Sequence, residues 1–90
     1  MRLAWREMAR NDRFRIMDHI AQDNPAAAIS LDEKFAEKAR LAAQTPSMYK
    51  PGRYPGTREI IIHPNYVMVY RITREAVEII RILHARQQWP

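Results

Sequence analysis

A break at Asp23-Asn24-Pro25 divides the first half of the chain into two helical segments, and it constrains the fold more than any other feature. The side-chain oxygen of Asn24 can accept a hydrogen bond from a free backbone N–H at the start of a helix. Pro25 then occupies the first helical position, where its missing N–H costs nothing. Apolar residues recur at helical spacing on both sides of the break, which predicts a hairpin of two helices.

Each predicted helix has one apolar face and one charged face. The first helix begins near Glu7 and ends near Gln22. Its apolar face is predicted to consist of Met8, Phe14, Met17, Ile20 and Ala21. The charged residues predicted to face solvent are Arg10, Asp12, Arg13 and Asp18. The second helix ends at Thr45-Pro46 because the residue before a proline disfavours helical geometry. Its predicted buried residues are Leu31, Phe35, Ala39 and Ala42.

Short segments with alternating or β-branched residues predict four strands. The first strand covers residues 2–5, before the helices, and residues 46–56 form a loop rich in proline and glycine. Three further strands are predicted at residues 58–63, 66–72 and 76–83, joined by short turns into an antiparallel meander. The sequence therefore predicts one α+β domain over residues 1–90, of order β-α-α-β-β-β, with the helical hairpin packed on a small, mainly antiparallel sheet.

The net charge of +5 lies mostly in the second half of the chain. Residues 1–45 carry a net charge of +1, whereas residues 46–90 carry +4. A basic surface of this kind attracts nucleic acid, the ribosome or an acidic protein, chiefly through long-range steering.

Several classes of protein are excluded by composition. The chain has no cysteine, which excludes a disulfide scaffold, a thiolate zinc site and a cysteine nucleophile. Its three histidines lie on different predicted elements, and we predict neither a metal site nor a cofactor. The longest apolar run, residues 60–62, is far too short to span a membrane, so we expect no membrane partner. The absence of cysteine fits the reducing environment of a cytoplasmic protein.

Four segments of the chain resemble, in the same order, segments of the RelE/ParE superfamily of bacterial toxins. They are DNPAA at 23–27, PGRYPGTRE at 51–59, HPNYVMVYR at 63–71 and ILHARQQWP at 82–90. They are similar to the helix junction, the loop into the second strand, the central hairpin, and the closing strand with its tail. The similarity covers nearly the whole chain and is most specific after Gly56.

The resemblance implies a toxin of a type II toxin–antitoxin module. Such a toxin is encoded beside a small antitoxin, which folds on binding and neutralises it. Operator DNA is then contacted only through the antitoxin. Arg58 and Arg71, on neighbouring strands, are predicted antitoxin contacts because the planar guanidinium group pairs with carboxylates and packs on rings.

The tail of the chain favours the ParE-like branch, whose members poison DNA gyrase without catalysis of their own. Arg86, Gln87 and Trp89 are the predicted target-binding residues, since a tryptophan among polar groups near a chain end suits a partner contact. Folding of Trp89 back onto the sheet is the alternative for that side chain.

RelE-like members of the superfamily instead cut mRNA in the ribosomal A site, which requires a base, an acid and cations around one phosphate. Under this alternative Arg58, Arg81 and His84 are the predicted catalytic residues. The chain lacks the lysine cluster of that branch, because Lys50 is the only lysine after Lys38. An inactive relative that only binds an antitoxin is the third alternative.

Overall fold

The computed structural model describes residues 1–90 and consists of two helices and four strands. In chain order the elements are β1 (Arg2–Trp5), α1 (Glu7–Ala21), α2 (Pro25–Gln44), β2 (Arg58–His63), β3 (Tyr66–Ile72) and β4 (Ala76–His84). A single 3₁₀ turn, Pro46–Met48, follows α2 within the segment predicted as a loop. The predicted α+β class and element order are confirmed, and β4 extends one residue beyond its predicted end.

The helical hairpin forms where the Asn24-Pro25 break predicts it. The side-chain oxygen of Asn24 accepts a hydrogen bond of 3.0 Å from the Ala27 N–H, and Pro25 begins α2. At its other end α2 stops at Gln44, and the Thr45 hydroxyl donates to the Leu41 carbonyl oxygen. Local capping therefore determines where α2 begins and ends.

The sheet has the strand order β1-β4-β3-β2, with β4 in its interior. β1 runs parallel to β4, whereas β2, β3 and β4 form the predicted antiparallel meander. Val69 pairs with Arg81 and Tyr70 pairs with Ile79, so Ile80 is an extra residue in β4. This irregularity shifts the alternation of side chains, and as a result both Ile79 and Ile82 join the core between the sheet and the helices.

The main core lies between one face of the sheet and the two helices. The predicted apolar stripe of α2 is confirmed: Phe35, Ala39 and Ala42 are fully buried, and Leu31 is 8% exposed. They pack with Ile60, Ile62, Met68, Tyr70, Val77, Ile79 and Ile82 of the sheet.

The predicted buried face of α1 is wrong for Met8 and Phe14 and confirmed for Ile20. Phe14 is 71% exposed and Met8 is 57% exposed, whereas Ala9 and Asp12 are buried. Ile16 and Ile20 pack against the core. Phe14 and Ile16 are two residues apart, which places them about 160° apart around a helix. The helix therefore has two apolar faces, and the one that includes Phe14 points away from the sheet.

Asp12, predicted to face solvent, is 3% exposed and joins α1 to β4. Its carboxylate accepts hydrogen bonds from Nε and Nη2 of Arg81, at 2.7 and 3.0 Å, and from the backbone N–H of Ile82, at 3.0 Å. Arg15 adds a further hydrogen bond of 2.6 Å. The hydrogen bond to Asp12 raises the pKa of Arg81 further above its ordinary value, so the guanidinium group remains charged. A buried carboxylate is tolerated here because it is fully paired.

Candidate functional site

The tail, residues 85–90, folds back and covers part of the sheet face opposite the helices. Val67, Val69 and Leu83 on that face are buried although no helix covers them. Trp89 lines a cleft of about 380 Å³ together with Met8, Arg71, Ile80 and Arg81. Trp89 is thus partly buried, whereas the four tail residues before it, 85–88, are exposed.

A loop, residues 49–57, holds the second half of this tail. The Arg53 guanidinium group donates a hydrogen bond of 3.2 Å to the carbonyl oxygen of Gln87. The rings of Tyr54 and Trp89 pack with their centroids 5.6 Å apart. We call these two interactions the loop–tail contact. They bring two of the predicted target-binding residues, Gln87 and Trp89, against a loop that sequence reasoning did not connect with the tail.

Arg53 is itself fixed by Glu59 in β2. The carboxylate of Glu59 accepts hydrogen bonds of 2.9 Å from both the backbone N–H and Nε of Arg53, and one of 3.3 Å from Nη2. Burial of Glu59 acts to raise its pKa, but the hydrogen bonds from Arg53 outweigh this effect and lower the pKa below its ordinary value. Glu59 is therefore ionised at neutral pH and holds Arg53 beside the tail.

The three residues of the ribonuclease alternative are not brought together. Arg58 pairs with Tyr70 near one end of the sheet, and His84 pairs with Tyr66 near the other end. The four residues from Tyr66 to Tyr70 place Arg58 and His84 about 13 Å apart along the strands, with β3 between them. Arg81 is only 13% exposed and is bound to Asp12.

Arg58 and Arg71, the predicted antitoxin contacts, differ in their availability. Arg58 is partly buried, and its Nη1 donates a hydrogen bond of 2.6 Å to the Tyr49 carbonyl oxygen. Arg71 is exposed and forms a 2.9 Å ion pair with Glu78, which also pairs with Arg6. The hydrogen bond from Arg71 lowers the pKa of Glu78. Arg71 can reach a partner, whereas Arg58 fastens the segment that follows α2.

His84 belongs to an imidazole and phenol cluster at the other end of the sheet. The ring of Tyr66 lies between those of His63 and His84, with centroids 6.1 and 5.8 Å away. Nδ1 of His63 accepts from the Asn65 N–H, and Nδ1 of His84 accepts from the Arg86 N–H. Each neutral ring therefore carries its proton on Nε2. His19 completes the cluster, since it lines the cleft that contains His84 and Tyr66.

A groove of about 500 Å³ lies along the exposed apolar face of α1. Its apolar residues are Phe14, Met17 and Ala21, and its polar residues are Arg10, Arg13, Asp18 and Asp32. Arg13 pairs with Asp32 of α2, with Nη2 and Oδ2 2.9 Å apart, and its guanidinium group lies 4.8 Å from the ring centre of Trp5. Arg10 has no carboxylate partner; its side chain donates to the Trp5 carbonyl oxygen. The groove therefore offers apolar surface and one unpaired cation.

No group of three histidine, aspartate or glutamate side chains is arranged to hold a metal ion. Neither helix has the length and apolar composition that crossing a membrane would require.

The chain matches a family model, a protein of similar sequence and solved structures of similar fold. Residues 3–89 match the model of a family described as the ParE toxin of the type II toxin–antitoxin system parDE. The Sinorhizobium fredii protein named "Putative toxin Y4kP" is 34% identical over 90 residues, which cover 99% of this chain and 93% of that protein.

Two solved structures share the fold at 22% sequence identity. A chain of the chromosomal ParDE toxin–antitoxin system from P. aeruginosa superposes with a TM-score of 0.82, covering 93% of this chain and 95% of that one. A YoeB/ParE toxin from Agrobacterium tumefaciens superposes with a TM-score of 0.67, covering 93% of this chain and 98% of that one.

Proposed function

This chain belongs to the ParE toxin family of type II toxin–antitoxin systems, and on that premise we propose that it inhibits growth by binding DNA gyrase through its tail. A cognate antitoxin neutralises it. The observation that carries the gyrase proposal is the separation of Arg58 from His84 by about 13 Å along the strands. Acid–base cleavage of RNA needs its groups within hydrogen-bond reach of one phosphate. A binding surface needs no such assembly.

The tail has the chemistry of a protein-binding surface. Trp89 combines a large apolar ring with an indole N–H, and Arg86 and Gln88 beside it are exposed. Tryptophan and arginine are the residues that most often dominate the energy of protein interfaces. The tail is also held in one arrangement by the loop–tail contact, which reduces the entropy lost when a partner binds.

The apolar groove on α1 is the surface that the antitoxin occupies in this proposal. A large exposed apolar side chain such as Phe14 in a groove between helices suits an amphipathic helix that inserts apolar side chains at helical spacing. A carboxylate on that helix would pair with Arg10. Arg71 lies outside the groove, and its predicted contact with the antitoxin remains a prediction.

One observation favours the ribonuclease alternative. His84 lines a cleft of about 230 Å³ with Tyr66, Arg15 and His19. In its protonated, imidazolium form His84 could donate the Nε2 proton to a leaving oxygen, and Arg15 could pair with a phosphate if Arg15 left Asp12. The next experiment separates the two mechanisms.

Inducing the chain without its antitoxin is expected to alter DNA supercoiling and produce double-strand breaks, while mRNA ends stay as they are in uninduced cells. Both are measured on the same cultures, by plasmid gel electrophoresis and by mapping of mRNA 5′ ends. Coexpression of the neighbouring short, acidic reading frame is the control and should restore growth. Ribosome-dependent cleavage of mRNA with normal supercoiling would overturn the gyrase proposal.

Replacing Trp89 with alanine is expected to weaken binding to purified gyrase by about thirtyfold or more, since a central tryptophan contributes about 2 kcal/mol or more to an interface. Surface plasmon resonance measures this affinity. Met48→Ala is the matched control, because Met48 is 65% exposed and lies on the 3₁₀ turn. Equal affinities for the two variants would exclude Trp89 from the interface.

A further inference from the structure

The tail begins in a turn that two backbone hydrogen bonds hold in place. The Gln87 N–H donates to the His84 carbonyl oxygen at 2.9 Å, and the Ala85 N–H donates to the Asn65 carbonyl oxygen at 2.7 Å. These bonds fix the chain only as far as Gln87. Beyond it, the loop–tail contact holds the chain against the domain, through Arg53 and Tyr54.

Arg53 connects this tail to β2, an edge strand of the sheet. Its partner Glu59 pairs with Val69 in the register of β2 and β3, and the Glu59 side chain is only 11% exposed. Arg53 thus donates hydrogen bonds to Glu59 from its backbone N–H, Nε and Nη2. Its Nη1 donates to the Gln87 carbonyl oxygen instead. Because a guanidinium group is planar and its donors are fixed, binding Glu59 in this way orients Nη1.

The loop is shaped to permit this close approach. A Cβ atom on Gly52 would lie 2.4 Å from Oγ1 of Thr57 and 3.1 Å from Cγ of Glu59. Thr57 cannot easily yield, since its hydroxyl donates to the Tyr54 carbonyl oxygen and its side chain is buried. Only glycine at position 52 therefore lets the loop lie against Glu59 and present Arg53 and Tyr54 to the tail.

We propose that Arg53 is a positioning residue for target binding, which holds the tail in its binding arrangement by joining Glu59 to Gln87. The proposal rests on the proposed role of the tail. The Arg53–Glu59 pair joins a loop to an edge strand and lies outside the core, so its loss leaves the packing of the sheet on the helices intact. Its larger effect is on the order of residues 87–90, and a tail that must be ordered during binding loses affinity.

The test compares Arg53→Gln with Arg53→Lys, Gly52→Ala and the control Arg74→Gln, which alters an exposed arginine in the β3–β4 turn. The ¹⁵N heteronuclear NOE of the Gln87, Gln88 and Trp89 amides measures order in the tail. We expect Arg53→Gln and Gly52→Ala to lower these values while leaving the amides of β3 unchanged. Arg53→Lys should restore part of the order, because lysine keeps the positive charge but lacks the planar guanidinium group with its several fixed donors.

Affinity for purified gyrase is the second measurement. We expect Arg53→Gln to weaken binding about tenfold, with Arg53→Lys between it and the wild type and Arg74→Gln unchanged. A tail that stays ordered in both Arg53→Gln and Gly52→Ala would overturn the proposal. So would a disordered tail with unchanged affinity.

Failure of the gyrase proposal is distinguishable from failure of the positioning role. If the wild-type chain inhibits growth but does not bind gyrase, the target is wrong, and growth inhibition then replaces affinity as the second measurement. Weaker growth inhibition by Arg53→Gln together with a disordered tail would support the positioning role for whatever target the tail contacts. Undiminished growth inhibition with a disordered tail would overturn it.

Discussion

Replacing Asp12 with alanine is expected to lower the free energy of unfolding by about 3 to 5 kcal/mol, because it leaves the charge of Arg81 partly buried without its partner. Arg81 is 13% exposed and would also lose the carboxylate that orients it across α1 and β4. The backbone N–H of Ile82, which is buried, would lose its acceptor as well. For a domain of this size the midpoint of thermal unfolding should fall by about 12 °C or more.

Circular dichroism during heating and urea titration measures this loss. Asp18→Ala is the matched control, since Asp18 is an exposed aspartate on the same helix and should change stability by less than about 0.5 kcal/mol. Replacing the pair together, as Asp12→Leu with Arg81→Met, should recover much of the loss because no charge is then left buried. A loss below about 1 kcal/mol for Asp12→Ala would show that the ion pair does not hold α1 to the sheet.

Replacing Phe14 with aspartate is expected to weaken antitoxin binding by about thirtyfold or more, which corresponds to about 2 kcal/mol. The substitution puts a charge in the centre of the apolar groove, beside Met17 and Ala21. Because Phe14 is 71% exposed and makes little contribution to the core, the fold should be unaffected. Cells should therefore remain sensitive to this variant even when the antitoxin is coexpressed.

Ile29→Asp is the matched control for this substitution. Ile29 is 56% exposed on α2 and does not line the groove, so its replacement should leave antitoxin affinity within about threefold of the wild type. Isothermal titration calorimetry with the purified antitoxin measures both affinities, and a growth assay measures neutralisation. Full neutralisation of the Phe14→Asp variant would place the antitoxin on another surface.

The mispredicted face of α1 illustrates why an apolar pattern alone does not identify a core. Met17 and Phe14 occur at spacings that suit a buried stripe, and so do Ala9, Ile16 and Ile20. Helical periodicity shows that both stripes exist, but it does not show which one faces the sheet. Asp12 lies within the stripe that is buried, and its charge made that stripe look solvent-exposed. Its main partner, Arg81, is 69 residues away and could not be inferred from local pattern.

In the candidate site, too, some features could be predicted from the sequence and others depend on contacts between distant segments. That the tail residues Arg86, Gln87 and Trp89 bind the target is a prediction from residue type and position. The loop–tail contact could not be predicted, because Arg53 and Gln87 are 34 residues apart and lie in segments without periodic pattern. The separation of Arg58 from His84 likewise depends on strand register, which is determined by pairing between strands.

The sequence by itself determined the ends of the α-helices and strands to within one residue, the α+β class and the family. Capping at Asn24, the prolines at 25 and 46, and alternation along the strands act over a few residues, so they can be seen in the chain alone. The tertiary structure alone decided which face of α1 is free, what neutralises the charge of Arg81, and how the tail is held. These depend on contacts between distant segments, whose energies exist only once the helices, the loop and the sheet have come together.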